Sequence, residues 1–242
     1  MQLIKLDAID STNEFLKGLS TQQELENFTV VTAEKQTKGK GQMGAVWSSE
    51  TGKNLIMSIL VKDFLLDINQ LFNLNIAVSL AVINTLEKNN IPDLSIKWPN
   101  DIMSYNKKIG GILIENSIKS DGSILSIVGL GLNVNQINFD NLPKASSLAV
   151  VCGHEFDKEI LLIDIVEKLE KNLEIWNDKA TDFWTLFTNK LFKKGIPTPF
   201  SDVSNQNFMG IIQGISSIGK LQILLEDDTI AEFDVKEVQM LY

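Results

Sequence analysis

The chain has 242 residues, room for one large domain or one domain with a small appendage. With 44% apolar and 22% charged residues it can bury a sizeable core, which excludes general disorder. Its formal charge of −9 argues against a nucleic-acid binder, and all 22 basic residues are lysines, so a phosphate here meets ammonium and backbone N–H groups and no guanidinium fork.

Residues 2–9 alternate loosely and predict a strand. Ser11 and Glu14 then have capping-box spacing ahead of Phe15, Leu16 and Leu19, which predicts a helix. A β-branched strand is predicted over 28–33, a glycine/lysine loop over 36–45, and strands over 46–49 and 54–61 around a turn at Thr51-Gly52. The nearly unbroken apolar run over 71–86 predicts a buried helix. Strands follow over 94–98, 108–116 and 123–133, the last two joined by a tight turn at Asp121-Gly122. Helices are predicted over 160–176 and 182–192 from their apolar stripes. Pro197 and Pro199 then interrupt the chain, and short strands over 210–214, 220–225, 229–233 and 236–241 predict a small C-terminal β-barrel. The expected fold class is α+β, a mostly antiparallel sheet flanked by helices.

Cys152 is the only cysteine, so an internal disulfide is impossible and a four-sulfur zinc site is excluded. No apolar run reaches the roughly 20 residues of a membrane helix, and Met1–Asp7 lack the pattern of a signal peptide; a cytoplasmic protein with no membrane partner is expected.

Two glycine motifs imitate nucleotide fingerprints. Gly39-Lys40-Gly41-Gln42-Met43-Gly44 satisfies G-x-G-x-x-G, but the β-like Ala45-Val46-Trp47 follows where a helix should begin. The segment from Gly214 to Lys220 nearly completes a P-loop, but Leu221 stands where Ser or Thr should bind magnesium. The first loop still places Lys38 and Lys40 among glycines that let backbone N–H groups approach an anion, with a solvated hairpin as the alternative. Three other segments carry chemistry. Lys97-Trp98-Pro99-Asn100-Asp101 precedes Lys107-Lys108-Ile109-Gly110-Gly111, where glycines beside a lysine suggest a ligand passing close to the backbone. Gly129-Leu130-Gly131-Leu132-Asn133 puts two glycines on one strand face, a groove floor or a plain bulge. Cys152 and His154 lie outside all of these, and two ligands alone make neither a metal site nor a dyad.

Taken together, Asp10-Ser11-Thr12-Asn13, Gln36 with the 39–44 loop and Trp47, and the three segments just quoted resemble the biotin–protein ligase family, over nearly the whole chain. The resemblance implies a class II aminoacyl-tRNA synthetase-like catalytic domain over 1–197 and an SH3-like domain over 198–242. It implies that biotin and MgATP give biotinyl-5′-adenylate, whose biotin passes to a lysine of a biotin carboxyl carrier protein domain. Ser11, Thr12, Asn13 and Gln36 would line the biotin pocket, with Gly39, Lys40, Gly41 and Gln42 folding over it and Gly111, Leu113, Gly129 and Gly131 beneath. Lys108 would meet the biotin carboxylate and the α-phosphate, with Lys40 and Asp101 as further catalytic groups. Trp47, Asn100, Asp101 and Asn133 would lie at the nucleotide, and Asp101 at its Mg²⁺.

Two departures from the family stand out. Its loop often reads Gly-Arg-Gly-Arg-Arg-Gly, whereas Lys40, Gln42 and Met43 occupy the arginine places here, so a leakier adenylate is expected. The motifs also begin within a dozen residues of Met1, so the expected form is one without an N-terminal DNA-binding domain. Sheet-edge dimers occur in the family, and the sequence leaves a homodimer open. The rival readings are a lipoate or octanoate ligase or transferase, and a non-catalytic biotin or nucleotide sensor.

Overall fold

The computed structural model describes residues 1–65, 67, 70–140 and 142–242. In chain order it forms β1 (Gln2–Ile9), α1 (Thr12–Gln22), β2 (Thr29–Gln36), β3 (Leu55–Lys62), α2 (Leu71–Lys88), β4 (Leu94–Lys97), β5 (Asp101–Ser104), β6 (Lys107–Ile118) and β7 (Ile124–Leu132). Then come α3 (Leu148–Cys152), α4 (Lys158–Glu174), α5 (Trp176–Asn189), β8 (Pro197–Asp202), β9 (Asn207–Ile215), β10 (Leu221–Leu224), β11 (Ile230–Phe233) and β12 (Val238–Met240).

The first seven strands make one sheet in the order β1-β2-β3-β7-β6-β5-β4. Only the β1–β2 pair, joined through α1, is parallel. Alternation along the central strands gives the sheet two different faces. On one, Met57, Ile59, Val128, Leu130 and Ile112 join the apolar residues of α2, α4 and α5 in the main core. On the other, Leu60, Leu125 and Ile127 pack with Leu16 of α1 in a smaller cluster. That smaller cluster covers only part of its face, and beside the first turn of α1 the sheet carries no side chains at Gly111, Gly129 and Gly131. The functional cavity opens there.

Ser11 caps α1, accepting from the Glu14 backbone N–H, but the capping box is only half made. The Glu14 carboxylate turns instead to Lys40 Nζ, 2.6 Å away. The Asp121-Gly122 turn forms as expected, with Gly122 at φ +85°.

Several expectations need correction. Residues 46–49 are not a strand: Lys40 and Val46 form one isolated bridge, and a single 3₁₀ turn spans Gln42–Gly44. The loop folds back on itself instead, with Trp47 N–H donating to the Gly39 carbonyl and Gly41 N–H to that of Ala45. Asp101 opens a strand of its own, and α3 was not anticipated. The prolines at 197 and 199 lie within β8, where alternate residues face away from the partner. The C-terminal strands form a five-stranded antiparallel sheet, β11-β10-β9-β8-β12, in which β8 joins the four short strands expected there. Among the described residues no helix is long and apolar enough to cross a membrane.

Candidate active site

One cavity of about 290 Å³ gathers the motifs. Its wall includes Ser11, Thr12, Asn13, Gln36, Lys40, Gly41, Gln42, Trp47, Asn100, Asp101, Lys108, Gly111, Leu113, Gly129 and Gly131. Gly39 and Asn133 are not in that wall. Gly39 lies against the Trp47 backbone, and the buried Asn133 donates its side-chain amide to the Ser146 carbonyl at 2.9 Å.

Register gives the cavity its polarity, because Leu113 faces Gly129 and Gly111 faces Gly131 across the β6–β7 ladder. Toward Gly129 lies a neutral polar end. Gln36 Oε1 accepts from Thr12 N–H at 2.7 Å and lies 3.0 Å from Thr12 Oγ1, while Ser58 Oγ lies 2.7 Å from Thr12 Oγ1 and 2.6 Å from Asn13 Oδ1. Toward Gly111 lies a charged end. Lys108 Nζ is 2.5 Å from Asp101 Oδ1, and Lys97 Nζ is 3.9 Å from Asp101 Oδ2. Lys97 sits opposite Asp101 on the β4–β5 hairpin, so both side chains share a face.

Between the ends the floor is bare backbone, and Trp47 lies on it. A Cβ at Gly131 would come 2.5 Å from Trp47 Cε2, and the Lys108 ammonium stands 5.9 Å from the centre of the indole ring. The buried Trp47 Nε1 has no hydrogen-bond partner among the described residues. Lys97 and Lys108 together face the single charge of Asp101, so an acidic protein keeps a net positive charge at this end of the cavity. Burial pushes the Lys97 ammonium below the ordinary lysine range; Asp101 works against this, while Lys108 and Lys144 add to it. Such a site suits anions brought close together.

The lysines of the glycine loop are engaged elsewhere. Lys38 pairs with Asp10 at 2.8 Å, and the Lys40–Glu14 pair raises the lysine pKa and lowers that of the glutamate. Lys236, between β11 and β12, donates to the Met43 carbonyl at 3.0 Å and ties the loop tip to the second sheet. Trp98 makes another link, donating Nε1–H to the Gly219 carbonyl at 2.8 Å, so the P-loop lookalike is a receptor for an indole. The Asn100 side chain donates to the Ile112 carbonyl at 2.6 Å and extends the sheet beside the cavity.

Residue-by-residue reading overlooked Lys97 as a charged wall residue, and Ser58 and Glu115 behind the polar end. Period-two alternation from Gly111 through Leu113 would have put Glu115 on the cavity face. Cys152 and His154 lie along a separate surface cleft with Lys88 and Glu155.

Known proteins resemble the chain in sequence and in fold. The bifunctional ligase/repressor BirA of Bacillus spizizenii is 33% identical over 174 residues, 70% of this chain and 53% of that protein. The chain thus spans about half the length of that relative. The biotin–[acetyl-CoA-carboxylase] ligase of Mycobacterium tuberculosis is 25% identical over 79% of this chain and 71% of its own. The solved structure of a biotin protein ligase from Aquifex aeolicus in complex with biotin and ATP superposes with a TM-score of 0.79 at 28% identity, covering 99% of this chain and 98% of that one. A model of the biotin/lipoate A/B protein ligase family matches residues 6–135, more than half of the chain and every residue of the cavity wall. From its sheet to the lysines around Asp101, the chain belongs to the biotin/lipoate A/B protein ligase family.

Proposed function

We propose that the chain is a biotin–protein ligase, which activates biotin with MgATP to biotinyl-5′-adenylate and transfers biotin to a lysine of a carboxyl carrier protein domain. The observation that carries this reading is the split chemistry of one cavity: hydroxyl and amide groups at the Gly129 end, lysines with Asp101 at the Gly111 end, and bare backbone between. The first end suits a cyclic urea, the second a carboxylate beside an α-phosphate.

Repulsion between that carboxylate and the phosphate oxygens is the main obstacle to the first step. Lys108 and Lys97, fixed before the reactants arrive, offset it without reorganising. Asp101 holds Lys108 in place and, in the second step, orients the incoming amine or takes its proton. Magnesium enters as part of the nucleotide substrate. Asp101 is the carboxylate in the cavity wall that would share that ion with the phosphates and water. The Gly39–Gln42 loop closes over the adenylate and limits hydrolysis. Trp47, with Asn100 in the same wall, makes the adenine side. We read the main body, residues 1–197, as a class II synthetase-like unit and 198–242 as an SH3-like one; the second sheet begins one residue earlier, at Pro197.

Transfer through a cysteine acyl-enzyme finds no nucleophile here, since Cys152 is outside the cavity wall. Biotin-dependent exchange of pyrophosphate into ATP, run beside lipoate and octanoate, tests the proposal. Exchange with biotin alone supports it, exchange with lipoate or octanoate alone points to the sister reaction, and no exchange leaves a binding protein.

A further inference from the structure

Glu115 is a half-buried carboxylate on the cavity face of β6 for which the proposed reaction has no use. Its partner is Asn13, the second residue of α1, which fills the slot left by the missing side chain of Gly129; a Cβ there would lie 2.5 Å from Asn13 Oδ1. Each polar atom of the amide is engaged in that slot. Nδ2 donates to Glu115 Oε2 at 2.8 Å and to the Leu113 carbonyl at 3.4 Å, and Oδ1 accepts from Ser58 Oγ at 2.6 Å.

A carboxylate only accepts, so Glu115 dictates which way the amide faces. Turned over, Asn13 would set one oxygen against another. Asn13 is only 4% exposed, and water cannot readily replace a lost partner. Ser11 and Thr12 precede Asn13 directly, and Thr12 carries Gln36 through its backbone N–H and hydroxyl.

We infer that Glu115 is a positioning residue: through Asn13 it clamps the first turn of α1 to the sheet, and so holds Ser11, Thr12 and Gln36 in the arrangement that receives the polar ring of the ligand. The identity of that ligand rests on the biotin reading; the clamp does not.

The test compares Glu115→Ala with Glu115→Gln in the full chain, since glutamine keeps an acceptor for Asn13 and alanine removes it. Loss of a charge-assisted hydrogen bond should raise the KM for biotin roughly tenfold or more in the alanine variant. Its kcat should stay within about twofold of wild type, the signature of lost uniform binding. The glutamine variant should recover KM to within about threefold. Hydrogen exchange in the ligand-free proteins gives a second readout: alanine should expose the Thr12, Glu14 and Phe15 amides while α5 keeps its protection, and glutamine should not. Unchanged KM and exchange in Glu115→Ala, a fall in kcat alone, or equal damage from both variants would overturn the inference. If the wild-type chain fails to activate biotin, the ligase reading fails separately, and exchange at α1 alone decides the clamp.

Discussion

Lys108 reaches Asp101 because of a bulge. The β5–β6 ladder pairs Asp101 with Gly111 and Ile102 with Gly110, then slips so that Met103 faces Lys108. Residues opposite one another share a face, so an unbroken ladder would turn Lys108 to the side away from Gly111. The extra residue, Ile109, drops into the main core, and Lys108 swings onto the cavity face, 2.5 Å from Asp101. Removing a preorganised cationic group of this kind should slow adenylation by about 10²–10³-fold. Lys108→Ala, assayed by initial rates of pyrophosphate exchange, should fall in that range, and near-wild-type rates would remove Lys108 from the mechanism.

Gly131→Ala probes the floor. The new Cβ would approach the Trp47 indole to 2.5 Å, and the floor beneath it is backbone in the β6–β7 ladder, so the ring must lift. The expected outcome is a larger rise in KM for ATP than for biotin, with altered tryptophan fluorescence, because Trp47 makes the proposed adenine side. An unchanged nucleotide KM with an unchanged spectrum would mean that the indole does not meet the nucleotide.

Much of this was legible before any coordinates, for a physical reason. The buried helix over 71–86 and the central strands carry periodic apolar patterns, and their glycines mark places where side chains must be absent. What escaped depends on contacts distant in sequence. The bulge at Ile109 shows only in the pairing of β5 with β6. Glu14 reads as the second half of a capping box until Lys40, twenty-six residues on, takes its carboxylate. Val46 and Trp47 have strand-forming side chains but no partner strand, so propensity alone misassigned them.

The loop leads to a prediction about leakage. Lys40 is tied to Glu14, Lys38 to Asp10, and the tip carries Gln42 and Met43, so little free charge remains to hold an adenylate. Free biotinyl-adenylate should therefore escape faster than from the double variant Gln42→Arg, Met43→Arg. Quench-flow with chromatography of the released nucleotide measures this. Equal release from both proteins would show that loop charge does not retain the intermediate.

Lys97 should titrate early. Its ammonium sits in the cavity wall with the Tyr242 ring 5.3 Å away, and burial, aided by Lys108 and Lys144, depresses its pKa despite Asp101. A depressed pKa in the folded protein means that the unfolded chain binds more protons between the folded and unfolded values. The cost of burying this charge is therefore relieved as pH rises through that window, which lies below the ordinary lysine value of about 10.4. Two outcomes are expected. The melting temperature of wild type relative to Lys97→Met should climb as pH rises through the window. Brief acetylation at stepped pH, read by peptide mass spectrometry, should label Lys97 at lower pH than a lysine whose pKa is raised by its partner, such as Lys220 in its pair with Asp234. Simultaneous labelling of the two, with no pH trend in the melting difference, would mean that Lys97 keeps an ordinary charge and that the cavity is wetter than its geometry implies.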